Sequence, residues 1–206
     1  MPELQDGGYR SKLRERMIDI AERVLEREGL MSVQARRVTK EAECSVGTLY
    51  NVFNGLDGLI ITVNTRTLKE LGNVLTTVLS ERAGAPVGER LLALAMAYLT
   101  FAEAHPRRWR AVFEHRFMSS KAAETLLGPY REDQNELFRL VESLLEPTIA
   151  DPVERAGIAK ALFSAVHGIV IIALDEKLGA YNRAETEARV RFIVEASEVK
   201  LNGRQA

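Results

Sequence analysis

The chain has 206 residues, 46% of them apolar and 28% charged, and a formal net charge of −1 at pH 7. That length and apolar content support one large or two modest packed domains and exclude a disordered chain. The charge balance excludes a uniformly basic nucleic-acid coat, although a local basic patch needs only local charge. The single cysteine, Cys44, excludes an internal disulfide and fits a reducing compartment. No apolar run follows a basic start, so no secretory signal is expected and the location is read as cytoplasmic.

Helical periodicity runs through the chain, punctuated by Gly and Pro, and predicts an all-α fold. The first helix is expected from about Arg10 to Glu28, with Ile18, Ala21, Val24 and Leu25 as its apolar stripe and Gly29 after its end. A second is expected from Val33 to Ala42 behind Ser32 as N-cap, and a third from Val46 to Phe53 behind Ser45. A fourth begins near Leu56 and continues to about Arg82, where Ala83–Pro86 breaks the pattern. A fifth covers Val87–Ala104, with Leu91, Leu94, Ala95, Tyr98, Leu99 and Ala102 on one face, until Pro106 interrupts it. A short segment, Arg107–Phe117, follows.

Met118-Ser119-Ser120 offers the next start, and the run to Glu146 should kink or split at Gly128-Pro129. Asp151-Pro152 pairs a cap with a first-turn proline and opens a helix to about Leu178, ended by Gly179. Asn182 caps a last helix to about Val199, and the tail beyond Asn202 is expected to be loose. The division drawn from this pattern is a domain over 1–55 and a larger one over 56–206, with the best boundary inside the fourth helix, which the two domains share.

Residues 32–59 carry the functional signal. Two short helices joined by a tight turn make a helix-turn-helix, whose second helix lies in the DNA major groove. Such a helix must be slim where it meets the bases. Gly47 gives close backbone approach, and Ser45 and Thr48 offer hydroxyls, the latter also a methyl for thymine. Tyr50, Gln34, Arg36 and Arg37 can reach phosphates. Val46, at the start of the helix, and Asn51, beside Tyr50, complete the contact set. The opposite face, Leu49 and Phe53 together with Val46, is expected to pack on Val38, Ala42 and the first helix. Upstream, Arg10, Lys12, Arg14 and Arg16 outnumber Glu15 and are placed along the DNA backbone.

Cys44-Ser45-Val46-Gly47-Thr48-Leu49-Tyr50-Asn51-Val52-Phe53 resembles the recognition segment of the TetR/AcrR family of bacterial transcription regulators. The family pattern there is roughly Val-Ser-x-Gly-x-(Leu/Ile)-Tyr-x-(Tyr/His)-Phe, after an Ile-Ala-x-x-Ala-Gly helix. Val24-Leu25-Glu26-Arg27-Glu28-Gly29 is similar to the family's lead-in, and Ala161–Gly168, ALFSAVHG, resembles the Trp-His-Gly segment of one branch. The resemblance implies a three-helix DNA-binding domain, a larger effector-binding and dimerisation domain, and a homodimer. Three positions depart from it. Glu43 stands where the family has a turn glycine, Val38-Thr39 where it has Ile-Ala, and Leu56 where it commonly has a phosphate-touching lysine. Arg36, Arg37 and Lys40 are expected to compensate.

In the larger part, ALFSAVHGIVIIAL over Ala161–Leu174 is apolar on nearly every face and must be buried all round. Its longest apolar stretch, Ala165–Leu174, contains His167 and is too short to span a bilayer, so no membrane is expected. The dimer interface is assigned to Phe163, Val166, Ile169, Val170 and Ile172 of this helix and Val190, Ile193 and Val194 of the last, as a four-helix arrangement about a two-fold axis. An effector pocket is assigned to Tyr98, Phe101, Trp109, Phe113, Leu137 and His167, with His105 and His115 as further polar handles.

The three histidines show no zinc spacing, and no nucleotide-binding glycine pattern is present. No cofactor, metal or enzymatic activity is expected. Cys44 reads as a small buried hydrophobe. The function expected is a ligand-responsive regulator of double-stranded DNA, a homodimeric repressor released by a small apolar effector. The alternative is a small-molecule binding module with a weakened or vestigial helix-turn-helix, kept open by Glu43 and Leu56.

Overall fold

The computed structural model describes residues 3–115, 121–175 and 182–202. Among the described residues the chain is nine α-helices and one 3₁₀ turn, with no strand. The helices are α1 (Glu3–Glu28), α2 (Ala35–Glu41), α3 (Val46–Phe53), α4 (Leu56–Glu81), α5 (Val87–Ala104), α6 (Pro106–Glu114), α7 (Lys121–Leu145), α8 (Pro152–Leu174) and α9 (Arg183–Asn202). The expected helix start at Met118–Ser120, Phe117, the stop at Gly179 and the tail past Asn202 lie outside the described residues.

Several helix ends differ from expectation for local reasons. α1 starts at Glu3 rather than Arg10. Ser32 does not cap α2. Gly29 turns the chain at φ +88°, a 3₁₀ turn covers Leu30–Ser32, and Ser32 Oγ donates back to Glu28 O at 3.4 Å. Gln34 takes the N-cap position with no side-chain cap bond. Pro106 opens α6 as a first-turn residue, where its missing N–H leaves no bond unmade. Pro129 sits inside α7, which stays one helix. Asp151 accepts from the Val153 N–H at 3.1 Å and caps α8, which ends at Leu174 rather than Leu178 as Asp175 turns extended. Asn182 and Glu185 form a reciprocal capping box on α9, at 2.9 and 3.3 Å.

Contacts divide the chain into two compact units. The first is Met1–Lys69 with His105–Asp133; the second is Glu70–Ala104 with Gln134–Ala206. The boundary falls inside α4, the helix that the sequence pattern has the two domains share, and the first unit also takes α6. The reason lies in α1. Glu15, Asp19, Glu22 and Glu26 share one face at helical spacing. Arg66 of α4 reaches Glu15, Asp19 and Glu22 at 2.8, 2.7 and 2.8 Å. Arg108 of α6, buried, pairs with Glu22 and lies 3.1 Å from Glu26. Arg107 donates to Glu26 O at 3.2 Å. Beneath these pairs, Met17, Ile18, Ala21 and Leu25 of α1 join Val38, Leu49, Phe53, Leu59 and Val63 in one apolar core. In the second unit α5, α8 and α9 pack together around Leu99, Val170 and Val190.

The turn between α2 and α3 keeps a left-handed residue. Glu43 sits at φ +55°, and the next residue, Cys44, donates its N–H to Thr39 O at 3.0 Å. An L side chain in that region costs about 1–2 kcal/mol that glycine avoids. The Glu43 carboxylate is exposed and reaches only Arg16 at 3.6 Å, a surface pair worth about 0–1 kcal/mol. Glu43→Gly should therefore raise stability by about 0.5–1 kcal/mol after the entropy glycine adds to the unfolded chain. Glu43→Ala keeps the strain and should leave Tm almost unchanged. Calorimetry on the two variants separates backbone strain from charge; an equal rise in both would contradict it.

Candidate functional site

α3 is held from one side. Leu49 is fully buried and Phe53 nearly so, while Ser45, Val46, Gly47, Tyr50 and Asn51 are exposed and Thr48 is half-buried. Val46 thus leaves the inward set proposed for it and joins the outer face. Ser45 caps the helix: its Oγ accepts from the Thr48 N–H at 3.1 Å and lies 2.9 Å from Thr48 Oγ1. The two hydroxyls hold each other in place and keep further hydrogen-bonding capacity. Asn54 ends the helix in the left-handed region at φ +59°. Gly55 follows at φ +112°, where an added Cβ would lie 3.5 Å from Tyr50 Cε1.

Gly47 has no reason within the chain to be glycine. A Cβ there would meet nothing nearer than Ser45 Oγ at 3.6 Å. Glycine in a helix costs roughly 0.5–1 kcal/mol against alanine. The fold carries that cost on its most exposed short helix.

The cations around α3 separate by partner. Arg37 grips Glu28 with both Nη atoms, at 2.6 and 2.5 Å, and turns Nε towards Glu41 at 3.5 Å. Those carboxylates hold its guanidinium well above its usual range and Glu28 below its own. Arg37 is therefore an internal tie, which corrects its assignment as an open phosphate contact. Arg23 is bound to Glu41 at 2.8 Å, and Arg16 to Glu41 O at 3.1 Å. Gln34, Arg36 and Lys40 are exposed. Cys44 Sγ lies 3.9 Å from Met17 Sδ, and burial pushes its thiol up, away from a reactive thiolate.

The second unit holds a partly open apolar cavity of about 70 Å³. Leu71 and Leu75 of α4, Leu91, Leu94, Ala95 and Tyr98 of α5, Leu137 and Val141 of α7, Leu162, Phe163 and Val166 of α8, and Val194 of α9 line it. Of the assigned lining, Tyr98 and Leu137 are there. His167 is bound through Nδ1 to the Tyr98 hydroxyl at 2.6 Å and stacks on Phe163 at 5.2 Å. Burial pushes its imidazole below the ordinary histidine value, so it is neutral at pH 7. Phe101 is buried in α5 but is not part of the wall. Trp109 and Phe113 belong to the first unit, where they pack edge-on at 5.5 Å. His105 and His115 also belong there, 3.6 Å from Glu26 and 3.2 Å from Asp57. The aliphatic wall was hidden in the sequence because such residues read as core.

The interface assignment is corrected in part. Val166, Val170, Val190 and Val194 are buried by the chain's own helices and present no surface to a second chain, while Phe163 is half-buried and lines the cavity. Ile169, Ile172 and Ile193 are half-buried. Among the described residues of α8 and α9, the large apolar side chains left open are Val153, 79% exposed, Ile171, 40% exposed, and Phe192, 69% exposed. α8 as a whole is, among the described residues, long and apolar enough to cross a membrane by length and composition. The shorter stretch considered in the sequence understated this, because α8 extends back to Pro152.

Comparison with known proteins agrees with this architecture. The family model for the tetracyclin repressor-like C-terminal domain matches residues 91–197, just over half of the chain. The uncharacterized HTH-type transcriptional regulator YobS of Bacillus subtilis is 26% identical over 170 residues, covering 82% of this chain and 81% of YobS. A transcriptional regulator from Rhodococcus sp. superposes with a TM-score of 0.68 at 20% identity, covering 89% of this chain and 94% of its own. A TetR-family transcriptional regulator from Streptomyces coelicolor gives 0.66 at 19%, covering 94% and 86%. With an exposed, capped α3 behind a left-handed turn and the matched C-terminal domain, the chain belongs to the TetR family of helix-turn-helix transcriptional regulators.

Proposed function

We propose that this protein is a cytoplasmic, homodimeric repressor that binds a near-palindromic operator and leaves it when a small apolar effector enters the second unit. The observation that carries the DNA reading is Gly47: an exposed glycine that the fold does not require, flanked by hydroxyls and Tyr50 on one face. A bare backbone there lets bases approach closely. Ser45, Thr48 and Asn51 are the base-edge candidates, and Tyr50, Gln34 and Arg36 the phosphate contacts. Two copies reading one face of a duplex require half-sites about 34–36 Å apart, or a multiple.

The cavity supports an uncharged effector. No charged side chain lines it, and a charge placed there would be desolvated without a partner. Its volume is below the roughly 150 Å³ that admits benzene and well under common ligand pockets. A ligand of more than a few heavy atoms must push the wall apart. Gly72 of α4 packs so closely on α7 that an added Cβ would lie 3.4 Å from Leu137 Cδ2. Displacement of Leu137 is thus felt by α4, the helix that follows the recognition helix directly in the chain. Effector and DNA then oppose each other, with a coupling typically of ~1–3 kcal/mol.

The dimer reading rests on α8 and α9. Ile171 and Phe192 are large apolar side chains open to solvent, and a helix as apolar as α8 needs cover. A second copy supplies it through the same surface on both subunits.

Two outcomes test this reading. Gly47→Ala should raise thermal stability by about 0.5 kcal/mol and weaken binding to a duplex selected from a random library by tenfold or more. Raised stability with unchanged affinity would remove Gly47 from the contact face, and a wild type that enriches no duplex would favour the binding-module alternative. Phe192→Asp should halve the mass in sedimentation equilibrium while helicity by circular dichroism is kept; a dimer of unchanged strength would remove this surface from the interface.

A further inference from the structure

The basic run at the start of α1 is four residues long in the sequence pattern, Arg10, Lys12, Arg14 and Arg16, but helix geometry splits it into two faces. Lys12 and Arg16 are one turn apart. Both line an open groove with Glu15, Asp19, Arg23 and Glu41, where carboxylates answer their charge. Arg16 is further committed to Glu41 O and Glu43.

Arg10 and Arg14, also one turn apart, belong to the other face. The Arg14 guanidinium lies over the Phe53 ring, 5.4 Å from its centroid. Phe53 is the last residue of α3 and is itself buried. The stack therefore fixes a cation at the C-terminal end of the recognition helix, the end that Asn54 and Gly55 close. Such stacking contributes about 0.5–1 kcal/mol at exposed sites and restricts the side chain without neutralising it.

Arg14 does touch Glu15, at 3.1 Å, but that pair is between exposed sequence neighbours. The same carboxylate is held at 2.8 Å by Arg66, which also holds Asp19 and Glu22. The Arg14–Glu15 contact is a weak surface pair, and the Arg14 side chain stays 43% exposed, so its charge remains open to a further anion. Arg10 is exposed and has no ion pair among the described residues.

Resting on the DNA-binding reading, we infer that Arg10 and Arg14 form a second phosphate track, contacting the DNA backbone outside the base pairs read by α3. Arg14 is the fixed end of the track, locked on Phe53, and Arg10 extends it one turn, about 5.4 Å, along α1. The occupant is a polyanion with regular spacing rather than a single anion, because the two cations are separated and neither is buried. Contacts of this kind position the protein and do not read sequence.

The test uses the full-length protein and a fluorescein-labelled duplex recovered from a random-sequence library, with affinity followed by anisotropy across a KCl series. Removing one phosphate-bound cation lowers the slope of log K against log [salt] by ≈ 0.9, and a substitution in a dimer removes two. Arg14→Gln and Arg10→Gln should each flatten the slope by about that amount per subunit and leave the ranking of duplex variants unchanged. Lys12→Gln, on the groove face, should keep the wild-type slope. Trimming the flanking base pairs should weaken the wild type and leave the Arg10→Gln/Arg14→Gln double variant unaffected. Unchanged slopes in both arginine variants, with wild-type melting curves, would overturn the track while leaving DNA binding intact. A Lys12→Gln effect equal to that of Arg14→Gln would overturn it too, since a diffuse field would then explain the data. Failure of the wild type to enrich any duplex would remove the DNA reading itself, and this inference with it.

Discussion

A two-turn helix does not hold its shape in water by itself. α3 has eight residues, so its geometry depends on Leu49 and Phe53 being gripped by the core of α1, α2 and α4. Only one face can be used for that grip if the other is to meet a partner. Much of the first unit follows from this constraint. Ser45 and Asn54 close the two ends so that no carbonyl or amide beyond the helix must be buried. Glu43 takes up a left-handed turn between α2 and α3, at a cost in backbone strain.

The frame that grips α3 is itself fixed by charge. The acidic face of α1 is matched by Arg66 and Arg108, and Arg37 is tied to Glu28 and Glu41. These pairs explain how a chain with net charge −1 can present a local basic surface. Its carboxylates in this region are engaged by structural arginines, so the cations left over are few and set by position. Among the described residues, Arg10, Arg36 and Lys40 are outside the ties that hold the first unit together, and Arg14 is stacked on Phe53 with its side chain still 43% exposed. Charge counted along the sequence does not distinguish the two groups; distance to a carboxylate on another helix does.

The same distinction separates what was legible in the sequence from what was not. α3 and its cap could be read because Ser45, Leu49 and Phe53 act over one and two turns. The capping box at Asn182 and the start of α8 at Asp151-Pro152 are equally local. Arg37 could not be placed, since Glu28 is nine residues away across a turn. The α2 start was missed because Gly29 diverts the chain into a 3₁₀ turn and uses Ser32 there. Aromatic content does not mark the cavity: Trp109 and Phe113 serve the first unit, and the wall is mostly aliphatic, with Tyr98 and Phe163. Val166, Val170, Val190 and Val194 show apolar periodicity, but which apolar face turns inward depends on α5, which the periodicity of α8 and α9 does not report.

α4 joins these parts, since its N-terminal half belongs to the first unit and Leu71 and Leu75 in its later half line the cavity. Any signal from a ligand in that cavity has a covalently continuous path to α3. In the proposed function, two such recognition helices act as a pair on one face of DNA. Hydroxyl-radical footprinting of the full-length protein on a library-selected duplex tests it most directly. Two protected patches about 10–10.5 base pairs apart, or a whole multiple of that, are predicted. A single unpaired patch, or two patches at a spacing that puts them on opposite faces of the duplex, would contradict it.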